Sequence, residues 1–206
     1  MLFQTLDDKN ECVGVYLNGA MTYDELPPGL TRTWSYAPYL DGMNVEYASL
    51  YNCGKTMGEM CPEQYREEWE AISTRLKAYY KSFNTSKVSL QENCFFDLVP
   101  ERYLIDLCEV KNKITEYVFE NCEKPKNYSH MLDITKLVHE ISHQKLNIVT
   151  SNIKSKRASL QARNFLKKIS KNQPYCKYVV NGTKTGRLTT KPTSFPILTM
   201  NKDYRS

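Results

Sequence analysis

Acidic side chains all but disappear from the last third of this chain. Residues 141–206 hold a single one, Asp203, against 14 Lys and Arg, a formal charge of +13 over 66 residues. Residues 1–140 hold 14 Lys and Arg against 22 Asp and Glu, or −8, so the modest net +5 hides a strong asymmetry. Two-metal phosphoryl transfer needs carboxylates to hold both ions, which excludes that chemistry from the basic third by itself. Other absences narrow the class further. No apolar run nears the roughly 18 residues of a membrane span, and the opening MLFQTLDD puts acids where a secretion signal is basic. The seven cysteines are odd in number and never form a CxxC. Reduced thiols in a cytoplasmic protein are favoured over a disulfide framework or a zinc knuckle. There is no internal repeat and no low-complexity segment.

What is present is enough for a core. With 206 residues, 41% hydrophobic and 25% charged, the chain has the composition of a folded protein of one domain, or one and a half. The first 23 residues read as a β-hairpin, two stretches rich in Val, Tyr and Leu around a polar turn at Asp7–Asn10, with a second turn at Asn18-Gly19. Residues 24–60 give no clear periodicity, and Pro27-Pro28 breaks them. Pro62 then stands as a first helical residue, followed by Tyr65, Trp69, Ile72, Leu76, Tyr79 and Phe83 at alternating spacings of four and three. Pro100 opens a second helix, with Tyr103, Leu104, Leu107, Ile114, Tyr117 and Val118 on one stripe. A third helix is expected over 131–148, a fourth over 154–170, and a strand over 177–180. The fold class expected is α+β, predominantly helical. Its parts are a small mixed region over 1–60, a helical region over 61–125, basic helices over 126–176 and the start of a further region over 177–206. The aromatic and leucine stripes are core, and they speak of fold class rather than function.

One motif invites a metal reading. His139-Glu140-Ile141-Ser142-His143 is a literal H-E-x-x-H, the spacing that puts two imidazoles on one helix face in zinc hydrolases. A catalytic zinc needs a third protein ligand. After Glu140 the chain offers no further Glu, no His beyond His143, and only Asp203 in a basic surround; upstream, His130 lies nine residues from His139. At 100° per residue, Ile134, Leu137, Val138 and Ile141 define an apolar face that leaves both histidines on the opposite, polar side. No metal site is expected.

The basic third carries the functional signal. Across residues 152–173, Leu160, Phe165, Leu166 and Ile169 can pack inward, while Lys154, Lys156, Arg157, Arg163, Lys167, Lys168 and Lys171 face out. A calmodulin-target or membrane-surface helix shares that pattern. Within a folded domain and ahead of a strand, it better suits a helix lying along a phosphate backbone. A basic tail neutralised by the acidic front is the plainer reading of the same charges. Next comes VVNGTKTGRLTTKPTSF, residues 179–195, with no carboxylate in it. Thr183, Thr185, Thr189 and Thr190 offer hydroxyls to phosphate oxygens, Gly182 and Gly186 allow close backbone approach, and Arg187 presents a planar fork suited to phosphate or a base edge. The order G-x-x-x-x-G-K-[ST] is missing, which argues against a nucleotide cradle.

This stretch, Thr183-Lys184-Thr185-Gly186-Arg187-Leu188-Thr189-Thr190 after the strand-like CKYVV, resembles the T-x-T-G-R-L-S-S motif of family A DNA polymerases. That group includes bacterial polymerase I and the T-odd phage enzymes. The likeness is clear over about twenty residues and extends by placement alone over roughly 130–206. In the family the segment follows a basic helical thumb and opens the palm.

The resemblance implies that Thr183, Lys184, Thr185, Gly186 and Arg187 hold primer-template DNA near the primer 3′ end. Arg187 would reach the minor-groove side of the terminal pair, with Thr189 and Thr190 at the family's two serine positions. Lys154, Lys156, Arg157, Lys167 and Lys168 would belong to the thumb, and Arg205 to a basic position before the next motif. The pattern also breaks, since Ser194 and Ile197 stand where the family has DNA-touching asparagines. The catalytic aspartates, and the Mg2+ they hold in a complete polymerase, belong further on in the family, so the chain is expected to lack catalytic residues. It is also expected to need a C-terminal partner, as the product of a split, intein-interrupted or truncated gene in a phage-infected bacterial cytoplasm. An exonuclease, present in many relatives, would need a D-x-E pair; Asp7, Asp8 and Glu11 lack that spacing. The opening hairpin is at most a reduced remnant of one. A stand-alone DNA-binding protein is the alternative function.

Overall fold

Asn18 and Gly19 both take positive φ, 50° and 88°, the combination a tight two-residue hairpin turn demands. They join two strands of an antiparallel sheet, described in a computed structural model that covers residues 2–8, 11–23, 26–90, 92–151, 153, 159–171, 174–179, 183, 187–191 and 194–202. The sheet orders β1 (Gln4–Asp8), β2 (Glu11–Leu17) and β3 (Ala20–Thr22) side by side. A bulge between Leu6 and Asp7 shifts the β1–β2 register, so Asp7 faces Cys12. The single hairpin read from sequence thus gains a third strand at the second turn.

The chain divides into two compact units, Met1–Tyr128 and Ser129–Ser206. In the first, the stretch that gave no periodicity forms a two-residue parallel pair, β4 (Arg32–Thr33) with β5 (Glu46–Tyr47), then the short helices α1 (Ala48–Tyr51) and α2 (Met57–Met60). The long helices α3 (Glu63–Thr85) and α4 (Glu101–Asn121) follow. Pro62 and Pro100 each occupy the cap position, one residue before the helix proper, with extended backbone. There a missing N–H costs nothing, because the first turn's donors have no helical partner anyway.

The pairing of α3 with α4 is antiparallel: Glu68 meets Lys113 at 3.0 Å, Arg75 meets Asp106 at 3.6 Å, and the Tyr103 hydroxyl donates to the Ile72 carbonyl at 3.2 Å. The expected stripes do line this seam. Tyr103, Ile114 and Val118 are wholly buried. Each such side chain contributes about 1.5–3 kcal/mol of burial free energy. The division expected at residue 60 does not separate two cores. Leu6, Tyr16, Trp34 and Ala48 belong to the same apolar cluster as Ile72, Leu107 and Ile114. Strand β1 is tied to α4 from within, as the buried Gln4 amide donates to Thr115 Oγ1 at 2.8 Å.

The second unit holds α5 (Tyr128–His143, its first residue still in the first unit), α6 (Leu160–Lys171) and an antiparallel ribbon of β6 (Tyr178–Val179) and β7 (Thr189–Thr190). Helix α5 starts three residues before its expected beginning and stops five before its expected end. Its early end has a reason. Lys145 pairs with Tyr175, and the Leu146 N–H donates to the Pro174 carbonyl at 2.8 Å, so a long-range pairing replaces the last helical turn. The architecture is α+β, with helices dominant and the sheets small. No helix among the described residues is long and apolar enough to cross a membrane.

Candidate nucleic-acid interface

The ribbon sets the geometry of the basic loop. Tyr178 pairs with Thr190 and Val179 with Thr189, so residues 180–188 form the connection at one end. Across that connection the Thr183 hydroxyl donates to the Arg187 carbonyl at 3.1 Å. Thr183 therefore uses its one proton to close the loop rather than to meet a ligand directly. Arg187 is exposed, and Thr189 and Thr190 are half-buried in the ribbon. Lys184, Thr185 and Gly186 lie outside the described residues, as do Gly182, Lys154, Lys156, Arg157 and Arg205.

The other end of the ribbon is clamped. The Lys191 N–H donates to the Lys177 carbonyl at 2.8 Å, and the Phe195 N–H donates to the Tyr175 carbonyl at 2.9 Å. Ser194 fastens both. Its hydroxyl accepts the Lys177 N–H at 2.9 Å and lies 3.4 Å from the Tyr175 carbonyl. At 3% exposure Ser194 is a buried clasp. The serine hydroxyl thus ties two backbone segments together from a buried position.

Helix α6 presents Lys167 and Lys168 to solvent and half-buries Phe165, Leu166 and Ile169, as the amphipathic pattern predicts. Leu160 departs from it, being 65% exposed at the first helical residue, while Ala162 is the fully buried side chain of the first turn. Phe165 and Ile169 line an apolar hollow with Ile153, Phe195 and Ile197, so the helix packs on the segment that Ser194 anchors. The lysines of α6 and the loop of the ribbon thereby belong to one packed unit.

The two histidines differ: His143 is exposed, as expected from the sequence, while His139 is half-buried. On α5 Met131 is buried, and Ile134, Val138 and Ile141 of the expected stripe are half-buried together with Thr135, His139 and Ser142. Leu137 departs from that stripe, being 56% exposed. His139 and His143 line a hollow of about 320 Å³ with Ser142, Lys177, Tyr178 and Lys191. Their rings are 4.4 Å apart, and His143 Nδ1 lies 2.9 Å from the His139 carbonyl. Burial, with His143 beside it, pushes His139 below the usual histidine range, against a small opposing pull from Glu140. Among the described residues no group of three or more His, Cys, Asp or Glu stands together to hold a metal ion. The sequence signal for this hollow was the placement of Lys177 and Lys191 on opposed strand ends, visible only once the ribbon's register is known.

No family model, curated protein or solved structure matches the chain.

Proposed function

We infer that this chain is the DNA-gripping, N-terminal part of a DNA-directed DNA polymerase of the family A type. In this reading α5 and α6 serve as thumb, and the ribbon opens the palm. Primer-template DNA is held by residues 183–188 of the connection, by Thr189 and Thr190 of β7, and by exposed lysines such as Lys167 and Lys168. The observation that carries it is the T-K-T-G-R-L-T-T order on a loop between two paired strands, behind a basic amphipathic helix. The Thr183–Arg187 bond supports the reading physically, since a side-chain-to-backbone bond ties the exposed Arg187 to Thr183. Preorganisation of this kind lowers the ordering cost of binding.

Catalysis belongs elsewhere in this proposal. In this reading the metal-binding aspartates, which the family carries further on, would sit on a continuation or on a separate chain. Co-expression with a chain carrying the remaining palm and fingers, assayed by primer extension, tests the assignment. Templated extension is expected only from the pair. A stable, folded complex without extension counts against it. The stand-alone DNA-binding reading rests on one observation of its own, the +13 of residues 141–206. It predicts equal affinity for any duplex.

A further inference from the structure

The hollow between α5 and the ribbon carries a chemistry that the loop does not. Among the described residues its polar lining is basic or hydroxylic: His139, His143, Lys177, Lys191, Thr135, Ser142 and Tyr178, with no carboxylate among them. The two lysines stand directly opposite on the paired strands, joined by the Lys191 N–H to Lys177 carbonyl bond of 2.8 Å. Like charges facing each other across a strand pair are destabilising, and nothing in the lining neutralises them. On the helix side His143 is held in a defined tautomer, because a nitrogen 2.9 Å from a carbonyl must carry the proton. That assigns the proton to Nδ1 and leaves Nε2 to take up a second one. Ser142 Oγ donates to the same His139 carbonyl at 2.6 Å and lies 3.0 Å from His143 Nδ1, bracing the ring.

We propose that this hollow binds a phosphate group, and binds it more tightly once the histidine pair is protonated. Resting on the nucleic-acid reading above, the phosphate belongs to the strand that the loop grips. Two strand residues, Tyr178 and Val179, separate Lys177 from the loop, and at about 3.3 Å per residue that span of roughly 7–10 Å matches about two to three nucleotide rises. Among the described residues, the groups that set the charge there are Lys177 and Lys191 from the ribbon, His139 and His143 from α5, and Glu140, which acts on His139. The Tyr178 phenol is pushed up by burial and stays neutral. Protonating an imidazole adds a charge at contact distance from a bound anion, enough for about a fivefold to tenfold gain in affinity in a partly solvated site.

The test uses the full chain with inorganic phosphate and sulfate as ligands, followed by NMR of the histidine ring protons. Sulfate keeps a fixed charge, so any pH dependence belongs to the protein. Both anions are expected to move the ring-proton signals of His139 and His143, leave the His130 signal in place, and bind about fivefold to tenfold tighter near pH 5.5 than near pH 8. Lys177→Gln with Lys191→Gln abolishes the effect, while Lys191→Arg keeps it; unchanged backbone amide spectra confirm that each variant is folded. A second arm measures affinity for a primer–template at the same two pH values. His139→Gln with His143→Gln is expected to flatten the pH dependence of that affinity. Histidine shifts with phosphate but no DNA binding by the wild type would retain the anion site and overturn the strand as its source. No histidine shift with either anion, with DNA affinity unchanged in the Lys177→Gln, Lys191→Gln variant, would overturn the proposal.

Discussion

The Thr183 hydroxyl donates to the Arg187 carbonyl at 3.1 Å, so the first and fifth residues of the T-K-T-G-R stretch close on each other. A loop braced in this way offers its arginine without ordering it anew on binding. Thr183→Val keeps the shape of the side chain and removes the donor. Because the bond is exposed, the melting temperature is expected to hold within the equivalent of about 0.5 kcal/mol. Affinity for primer–template DNA should fall severalfold, and Thr183→Ser should restore it. Fluorescence anisotropy beside a thermal melt separates the two effects.

Arg187 itself is exposed beside that clasp. If it meets a phosphate, Arg187→Ala lowers the slope of log affinity against log salt by about 0.9, and Arg187→Lys retains part of the affinity. Replacing both Lys167 and Lys168 by Gln should lower the slope by about 0.9 for each phosphate they contact. Titrations at three or more salt concentrations give these slopes directly. An unchanged slope in all three variants removes the loop and α6 from the interface.

In the first unit, the buried Gln4 amide donates to Thr115 Oγ1 at 2.8 Å, while that hydroxyl donates to the Lys111 carbonyl at 2.7 Å. Thr115→Val strands a buried amide donor and should destabilise the protein by about 1–3 kcal/mol. Adding Gln4→Leu removes the stranded group, so the double variant should be more stable than Thr115→Val alone. Urea denaturation of the two single variants and the double closes the cycle.

The Glu46 carboxylate gives a pH dependence with a definite sign. Burial alone would raise its pKa, but hydrogen bonds from Lys124 and from the Tyr51 hydroxyl (2.9 Å) outweigh that and hold it below 4.5. A lowered carboxyl pKa contributes stability above about pH 4.5 that is lost as the pH falls further. The group is partly exposed, so its share is less than about 1 kcal/mol. Glu46→Gln should therefore reduce the acid sensitivity of the melting temperature below pH 4.5, measured against the wild type at matched ionic strength.

Local features were legible in the sequence and non-local ones were not. The Asn18-Gly19 turn and the proline-started helices follow from backbone sterics within a few residues, and the structure contains them. The parallel pair Arg32–Glu46 and Thr33–Tyr47 depends on partners 14 residues apart, with the Tyr128 hydroxyl accepting the Tyr47 N–H from 81 residues away. No short window encodes that. On α5 the expected stripe holds for Ile134, Val138 and Ile141, which are half-buried, and fails at Leu137, which is apolar yet 56% exposed. Ser194 read as a loop residue in place of an asparagine, and its role as a buried clasp needed the ribbon's hydrogen bonds to be seen.

The most direct test of the DNA-gripping account is a competition between a primer–template junction and a blunt duplex of equal length and charge for the full chain. The account predicts tighter binding to the junction, with the preference lost in Arg187→Ala while residual duplex binding remains. Equal affinity for the two, unchanged by Arg187→Ala, would contradict it and leave only a basic surface that binds any duplex.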